Sequence, residues 1–334
     1  MTPSWLTLLR SSLPLLALFV GATQEGPRRT PADTLPTPLV RVELLGAEEL
    51  AAGWSARAEE VALGRRLFFD SILSRDKSVA CATCHQPEFA FADDKRFSIG
   101  IDNQRTSFNS PSLINKALST NVFWDGRASS IESQVLLPIQ NETEMGLGLE
   151  EALERVTADA TYSADFQATY QSAPNEQNLA KAMSAFIRAL AFADSPVDRF
   201  RNGETTALNS SERAGLWVYE GRGGCWKCHV GPNLSDEQFH NTGIGSLEGI
   251  PLPGRSGATG EITDLGKFRT PGLRMLTKTA PYMHDGSLAT LEEVIEFYRE
   301  GGHANENLSP KLKPIDLSDE DAKNLVAFLR ALSR

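Results

Sequence analysis

The pattern C-x-x-C-H occurs twice in this 334-residue chain, at Cys81-Ala82-Thr83-Cys84-His85 and at Cys225-Trp226-Lys227-Cys228-His229, and the two copies use all four cysteines. Each copy must gather two thiols and an imidazole around one object. A disulfide within each pair is allowed in an exported protein, but it leaves both histidines unexplained. Zinc accepts Cys and His ligands, yet the clusters lie 144 residues apart and each has its own His. Covalent c-type haem attachment accounts for all six side chains: the thiols add to the haem vinyl groups and the adjacent His reaches the iron. On this reading Cys81, Cys84, Cys225 and Cys228 attach two c-type haems, and His85 and His229 are the proximal iron ligands.

The N-terminus agrees, because these thioethers are made outside the cytoplasm. Arg10 precedes an apolar run from Leu13 to Val20 and then small residues ending at Ala22. That is the form of a secretory signal peptide over 1–22, followed by a Pro- and Thr-containing flexible leader over 23–44. The competing reading is a buried N-terminal helix. The run is too short to span a bilayer and no other long apolar run follows, so a periplasmic protein without a membrane span is expected. The net charge of −10 argues against nucleic acid and suits a basic soluble partner.

A second repeat underlies the first. Ser110-Pro111-Ser112-Leu113 matches Thr270-Pro271-Gly272-Leu273, Asp125-Gly126 matches Asp285-Gly286, and Ser130-Ile131-Glu132 matches Thr290-Leu291-Glu292, all at a shift of 160 residues. Fixed-offset similarity of this kind indicates duplication of one unit. The segments before the two attachment motifs, Gly64 to Phe68 and Gly215 to Tyr219, echo each other too. Asp-Gly predicts turns. Ser129-x-x-Glu132 and Thr290-x-x-Glu293 read as capping boxes opening helices. Further helices are predicted over 148–158, 177–193, 209–220 and 318–332, the last capped by Ser318. Alternating strand patterns are scarce. The expected fold is mostly α: two cytochrome c-like domains, 45–205 and 206–334, with one haem each. The same shift sets Pro138 on Tyr298, Gln134 on Val294 and Trp124 on His284. A second axial ligand is thus available in copy two and absent from copy one, predicting one closed, electron-transferring haem and one open, reactive haem.

The segments "RLFFDSILSRDKSVACATCH", "NSPSLIN", "FWDGR", "TPGLR", "APYMHDGSLATLEEV" and "FYREGG" together resemble the di-haem bacterial cytochrome c peroxidases and their relative MauG, from Gly64 to the C-terminus. The resemblance implies reduction of hydrogen peroxide to water by electrons from a small redox protein, a cytochrome c or a cupredoxin. It implies a calcium ion between the domains, contacted by Asn109, Thr279 and Pro281, the last two through carbonyls. Dimers are frequent in the family, which makes a homodimer the assembly to test. The implied distal pocket of the His85 haem is Gln134, Pro138 and Glu144, with Glu144 moving a proton between the peroxide oxygens. By itself Glu144 reads as a solvated helix-end carboxylate, and its place in the ordered motif reverses that reading. Trp124 matches an electron conduit between the haems and is also an ordinary core Trp. His284 matches a histidine near the haems, whereas His240 and His303 read as structural or exposed.

Two positions depart from many of these peroxidases. Where they carry a histidine that blocks the resting peroxidatic iron, this chain has Ile101, which cannot ligate; Lys95 is the remaining nitrogen donor of that loop besides arginine. Where they carry Met as the second axial ligand, this chain has Tyr298, as MauG does; its competing reading is a core aromatic of an amphipathic helix. Phenolate stabilises ferric iron. Three readings follow: a peroxidase, a MauG-like enzyme that oxidises side chains of a partner protein, and a di-haem electron carrier.

Overall fold

The computed structural model describes residues 57–246 and 249–334; the expected signal peptide and leader lie outside them. The helices are α1 (Ala58–Phe69), α2 (Cys81–Cys84), α3 (Ile131–Val135), α4 (Leu137–Gln140), α5 (Leu149–Ala158), α6 (Ala160–Tyr170), α7 (Glu176–Arg188), α8 (Pro196–Arg201), α9 (Ser210–Glu220), α10 (Ser256–Thr259), α11 (Leu291–Arg299) and α12 (Asp319–Ala331). The named strands are two short antiparallel ones, β1 (Phe239–His240) and β2 (Phe268–Arg269). Among the described residues no helix is long and apolar enough to cross a membrane. The four predicted helices appear as α5, α7, α9 and α12, although α7 ends at Arg188 and not at 193. Helix α6 was not predicted; Asp159 caps it, its carboxylate accepting from the Thr161 and Tyr162 amides.

Two apolar cores form. The first draws on residues from Leu63 to Ile187, the second on residues from Val197 to Leu332. Val197, on α8, thus packs with the second core although it precedes residue 205. Each core is organised by one helix pair that crosses at a glycine. A Cβ on Gly64 in α1 would collide with the Ala182 carbonyl of α7, and a Cβ on Gly215 in α9 would collide with the Asn324 carbonyl of α12. This explains the echo between the two pre-motif segments: both helices need a backbone bare enough for close approach.

The duplication extends to backbone detail. Asn115 and Met275 both have positive φ, as do Phe123 and Met283, and Gly126 and Gly286. In both turns the Asp carboxylate accepts the amide two residues on, Asp125 from Arg127 at 3.2 Å and Asp285 from Ser287 at 3.1 Å. Ser130, not Ser129, caps α3, accepting the Ser133 amide, and its partner Thr290 caps α11 through the Glu293 amide. The capping expectation at Ser129 was therefore one residue early; Ser130 is the position that the 160-residue shift places on Thr290. Such caps contribute about 1 kcal/mol each. The arginine of "TPGLR" clamps the second unit: buried Arg274 pairs with buried Asp198 at 2.6 Å and donates to the Pro232 carbonyl. Breaking such a pair costs about 3–5 kcal/mol.

The units meet as pseudo-symmetric partners. The Asn109 amide donates to the His284 carbonyl at 2.8 Å, and the Arg269 amide donates to the Trp124 carbonyl at 2.7 Å. These are one contact made twice, because Asn109 matches Arg269 and Trp124 matches His284. Phe108 and its counterpart Phe268 meet edge to face at 5.8 Å between centroids. An isologous two-fold interface has this signature, here formed within one chain.

Candidate functional site

Each unit encloses a cavity behind its C-x-x-C-H segment. The larger, about 720 Å³, is walled by Cys225, Cys228, His229, Tyr298, Leu291 and Ile295 among others. The His229 Nδ1 lies 3.0 Å from the Leu234 carbonyl. Nδ1–H donates there, which leaves Nε2 as the lone-pair nitrogen, the arrangement metal-ligating histidines adopt. The Tyr219 hydroxyl donates to the His229 carbonyl and fixes the segment beneath it. Burial lowers the His229 pKa, so the ring is held neutral as a ligand must be. Tyr298 comes from α11; burial pushes its phenol above the ordinary range, and among the described residues its hydroxyl has no hydrogen-bond partner.

The smaller cavity, about 400 Å³, is walled by Cys84, His85, Gln134, Pro138, Glu144 and Arg127 among others. His85 repeats the device: Nδ1 is 2.9 Å from the Phe91 carbonyl. Ser110 Oγ stands 3.2 Å from the same nitrogen and donates to the Cys84 carbonyl at 2.7 Å. Burial holds His85 neutral, down at about 4. Cys81 packs against the first core. All four thiols are free, and burial raises Cys81 to about 12, Cys84 to about 11 and Cys225 to about 12. Two cavities, one walled by Cys225 and Cys228 and the other by Cys84, each with a neutral imidazole whose Nε2 is unspent, fit a haem in each unit.

The distal sides differ. Burial raises the Glu144 pKa, opposed by Arg127 and by Asn141, whose Nδ2 donates to Glu144 Oε1 at 2.7 Å. Arg127 Nη1 donates to both Asp125 carboxylate oxygens, at 3.0 and 2.9 Å, and the Phe123 ring centroid lies 3.5 Å from its guanidinium carbon. Gln134 lies on α3 and Pro138 at the start of α4. Glu144 is thus not a solvated surface carboxylate. Ile101 is 1% exposed, packs in the first core and donates its amide to the Glu144 carbonyl at 3.0 Å. Lys95 points to Asp94, about half exposed. Neither lines the cavity.

Asn109, Ser110, Pro111, Lys116 and Trp124 wall both cavities. The Trp124 indole N–H donates to the Asn109 carbonyl at 2.8 Å. His284 is stacked on Phe268 at 3.5 Å between centroids, with Trp124 at 6.3 Å and Phe108 at 6.1 Å. Its Nε2 is buried without a partner, and burial lowers its pKa to about 4. Asn109, Thr279 and Pro281 all border the larger cavity. Asn109 Nδ2 donates to the Lys95 carbonyl at 2.9 Å, which leaves Oδ1 free as a hard oxygen donor. His240 has a structural partner, Asp236, at 2.9 Å, and His303 is exposed beside Phe297. Sequence reasoning missed Asn141, Arg127, Lys116 and the Phe108–Phe268 pair. The last was open to it, since Phe108 and Phe268 obey the same 160-residue shift.

Residues 58–206 match the family described as di-haem cytochrome c peroxidase. The chain is 35% identical to the methylamine utilization protein MauG of Methylorubrum extorquens over 277 residues, covering 82% of this chain and 78% of that one. It is 33% identical over 321 residues to the cytochrome-c peroxidase IdrP2 of Denitromonas iodatirespirans, covering 88% and 86%. A solved MauG-like protein associated with microbial copper homeostasis superposes with a TM-score of 0.77 at 34% identity, over 84% of this chain and 91% of that one. Identity of this extent over most of both chains goes beyond a shared fold, and the chain belongs to the di-haem cytochrome c peroxidase family.

Proposed function

We propose that the protein reduces hydrogen peroxide to two waters, drawing two electrons from a small redox protein outside the cytoplasm. The carrying observation is the pair of duplicated cavities with opposite distal chemistry: a buried carboxyl beside Pro138 in one, a phenol in the other. The N-terminal unit is the peroxidatic one and the C-terminal unit the electron-receiving one. Cys81, Cys84 and His85 would hold one c-type haem, and Cys225, Cys228, His229 and Tyr298 would hold the other. When bound, the haems supply iron that accepts peroxide and stores and passes electrons.

The side chains of the smaller cavity handle the protons. Asn141 occupies Glu144 Oε1, so Oε2 is the oxygen that takes a proton from the near peroxide oxygen and returns it to the far one, which leaves as water. The raised carboxyl pKa makes Oε2 a competent base and then a competent acid. Gln134 hydrogen-bonds the peroxide, and Pro138 offers no donor to compete with it. Trp124, on the shared wall, is the electron path between units. Asn109 Oδ1 with the Thr279 and Pro281 carbonyls binds calcium next to that wall.

One feature favours a second reading, oxidation of a partner protein's side chains: a tyrosine, as in MauG, stands at the position of Tyr298. Steady-state peroxide consumption with reduced cytochrome c or cupredoxin separates the readings. Catalytic turnover with two donor molecules oxidised per peroxide is expected; no donor-dependent turnover would remove the peroxidase reading.

A further inference from the structure

Of the residues that wall both cavities, Lys116 is the charged one. Neither the attachment motifs nor the distal chemistry uses it. It opens a short helical turn, Lys116–Leu118, that follows buried Asn115. The Asn115 amide donates to the Leu190 carbonyl at 2.8 Å. Its side chain donates to the Phe192 carbonyl and accepts the Phe192 amide, each at 2.8 Å. The turn is thereby fastened to the segment after α7, and Lys116 stands on a rigid base. The 160-residue shift places Lys116 on Leu276, which opens the matching turn Leu276–Lys278 and walls the larger cavity. The duplicated turn thus carries a cation in the first unit where the second has a hydrocarbon.

The protein's own anions are committed elsewhere. Among the described residues the Lys116 ammonium makes no hydrogen bond and no ion pair. The carboxylate that acts on it is Glu237. Both Glu237 oxygens accept from Arg269 Nη1, at 3.2 and 3.3 Å, and Ser119 Oγ donates to one of them at 3.4 Å. On the wall of the smaller cavity Asp125 is taken by Arg127 and Glu144 by Asn141. Burial pulls the Lys116 pKa down to about 7, with Arg269 lowering it further and Glu237 opposing. An ammonium drawn out of water without a counter-charge is costly, so an anion that enters either cavity is attracted to it. Its charge also acts on His85. Lys116 is therefore in electrostatic reach of the first unit's imidazole and of the second unit's Arg269–Glu237 pair.

A c-type haem brings anions of its own, the carboxylates of its two propionates. We propose that the Lys116 ammonium bridges one propionate of each haem and acts as a positioning cation shared by the pair. An ammonium has three N–H donors, enough for a carboxylate from each side, and hydrogen bonds between charged partners are the strong ones. A positive charge in the wall between the cavities favours the reduced, less positive state of both irons, because charges are weakly screened inside a protein. It raises both reduction potentials together, whereas the axial ligands set the two apart. The same bridge ties both haems to the wall that carries Trp124. The inference rests on the two-haem reading of the cavities and not on what the haems oxidise.

The test is a potentiometric titration of the holoprotein, with resonance Raman spectra of each redox state, for wild type, Lys116→Met and Lys116→Arg. Met keeps the length of the side chain and suits an apolar wall; Arg keeps the charge. Lys116→Met is expected to lower the midpoint potential of both haems, each by about ten-fold in its reduction equilibrium, which is about 59 mV for one electron. The propionate-bending bands of both haems should shift with it. Lys116→Arg should restore most of both changes, a rescue that a merely structural role does not give. Lys116→Gln repeats the loss of charge without relying on apolar packing, and must move both potentials the same way. Unchanged potentials in the neutral variants, a shift at one haem alone, or equal shifts in Met and Arg would overturn the proposal. Fewer than two covalent haems in the wild type would remove the two-haem reading and the proposal with it, a failure distinct from two haems whose potentials ignore Lys116.

Discussion

The two cavities are built on the same frame and differ where one helix of the template is broken. In the second unit α11 runs unbroken from Leu291 to Arg299 and carries Tyr298 against the larger cavity. In the first unit the matching segment is split into α3 and α4 at Leu136, and Pro138 occupies the equivalent place. A proline inside a helix removes a backbone donor and clashes with the preceding turn. Pro138 in place of a tyrosine therefore offers no side-chain oxygen to the cavity and accompanies an interrupted helix. On the proposed reading, copies that begin alike divide one reaction into a reactive site and a relay by diverging at Pro138/Tyr298 and at neighbouring cavity positions such as Gln134/Val294.

Exchanging those residues has the largest expected effect. The oxidised wild type should show one high-spin and one low-spin ferric haem by EPR and react with peroxide without prior reduction, since Ile101 is locked in the core. Tyr298→Phe should turn the low-spin signal high-spin, leaving two open haems. A fully low-spin wild type, inert until an electron is added, would break the comparison.

Next in size is the carboxyl. Glu144→Gln should keep both haems and lower peroxide turnover by about 10²-fold or more, the usual weight of a positioned acid–base group. Oε2 must be ionised to accept the first proton, and burial raises its pKa. The acid limb of kcat/KM should accordingly fall above the ordinary carboxylate range, with activity lost as pH drops through it, and should vanish in the Gln variant.

The smallest effect tests the part of the frame that did not diverge. Gly64→Val and Gly215→Val each insert side-chain atoms where a helix crosses a carbonyl. Each should destabilise its own unit by about 1–3 kcal/mol, read as a lowered denaturation midpoint. Loss confined to one unit in each variant would show that the two cores unfold separately; equal loss throughout would show that the shared wall couples them.

Much of this was legible before any coordinates. The attachment motifs, the 160-residue shift and the helix starts at Asn209 and Ser318 depend on neighbours in sequence. The exception at Ser129 is instructive: adjacent serines offer two N-cap registers, and the one used is Ser130, which accepts the Ser133 amide without a capping box. Ile101 shows the opposite limit. Its identity excludes ligation, but that it is packed in the core rather than poised at the cavity depends on a loop from Asn141 to Leu147 that no spacing relates to it.

By itself the sequence determined what is covalent or local: which thiols and imidazoles can hold a haem, that one unit was copied, and that one copy has Pro138 where the other has Tyr298. Bond reach and helical hydrogen bonding impose fixed spacings, and fixed spacings are readable. Tertiary structure alone decided what joins distant segments. It set the paired contacts of Asn109 with His284 and Arg269 with Trp124, and the burial that raises Glu144. Those depend on how rigid units dock, and non-local packing leaves no periodic trace in a chain.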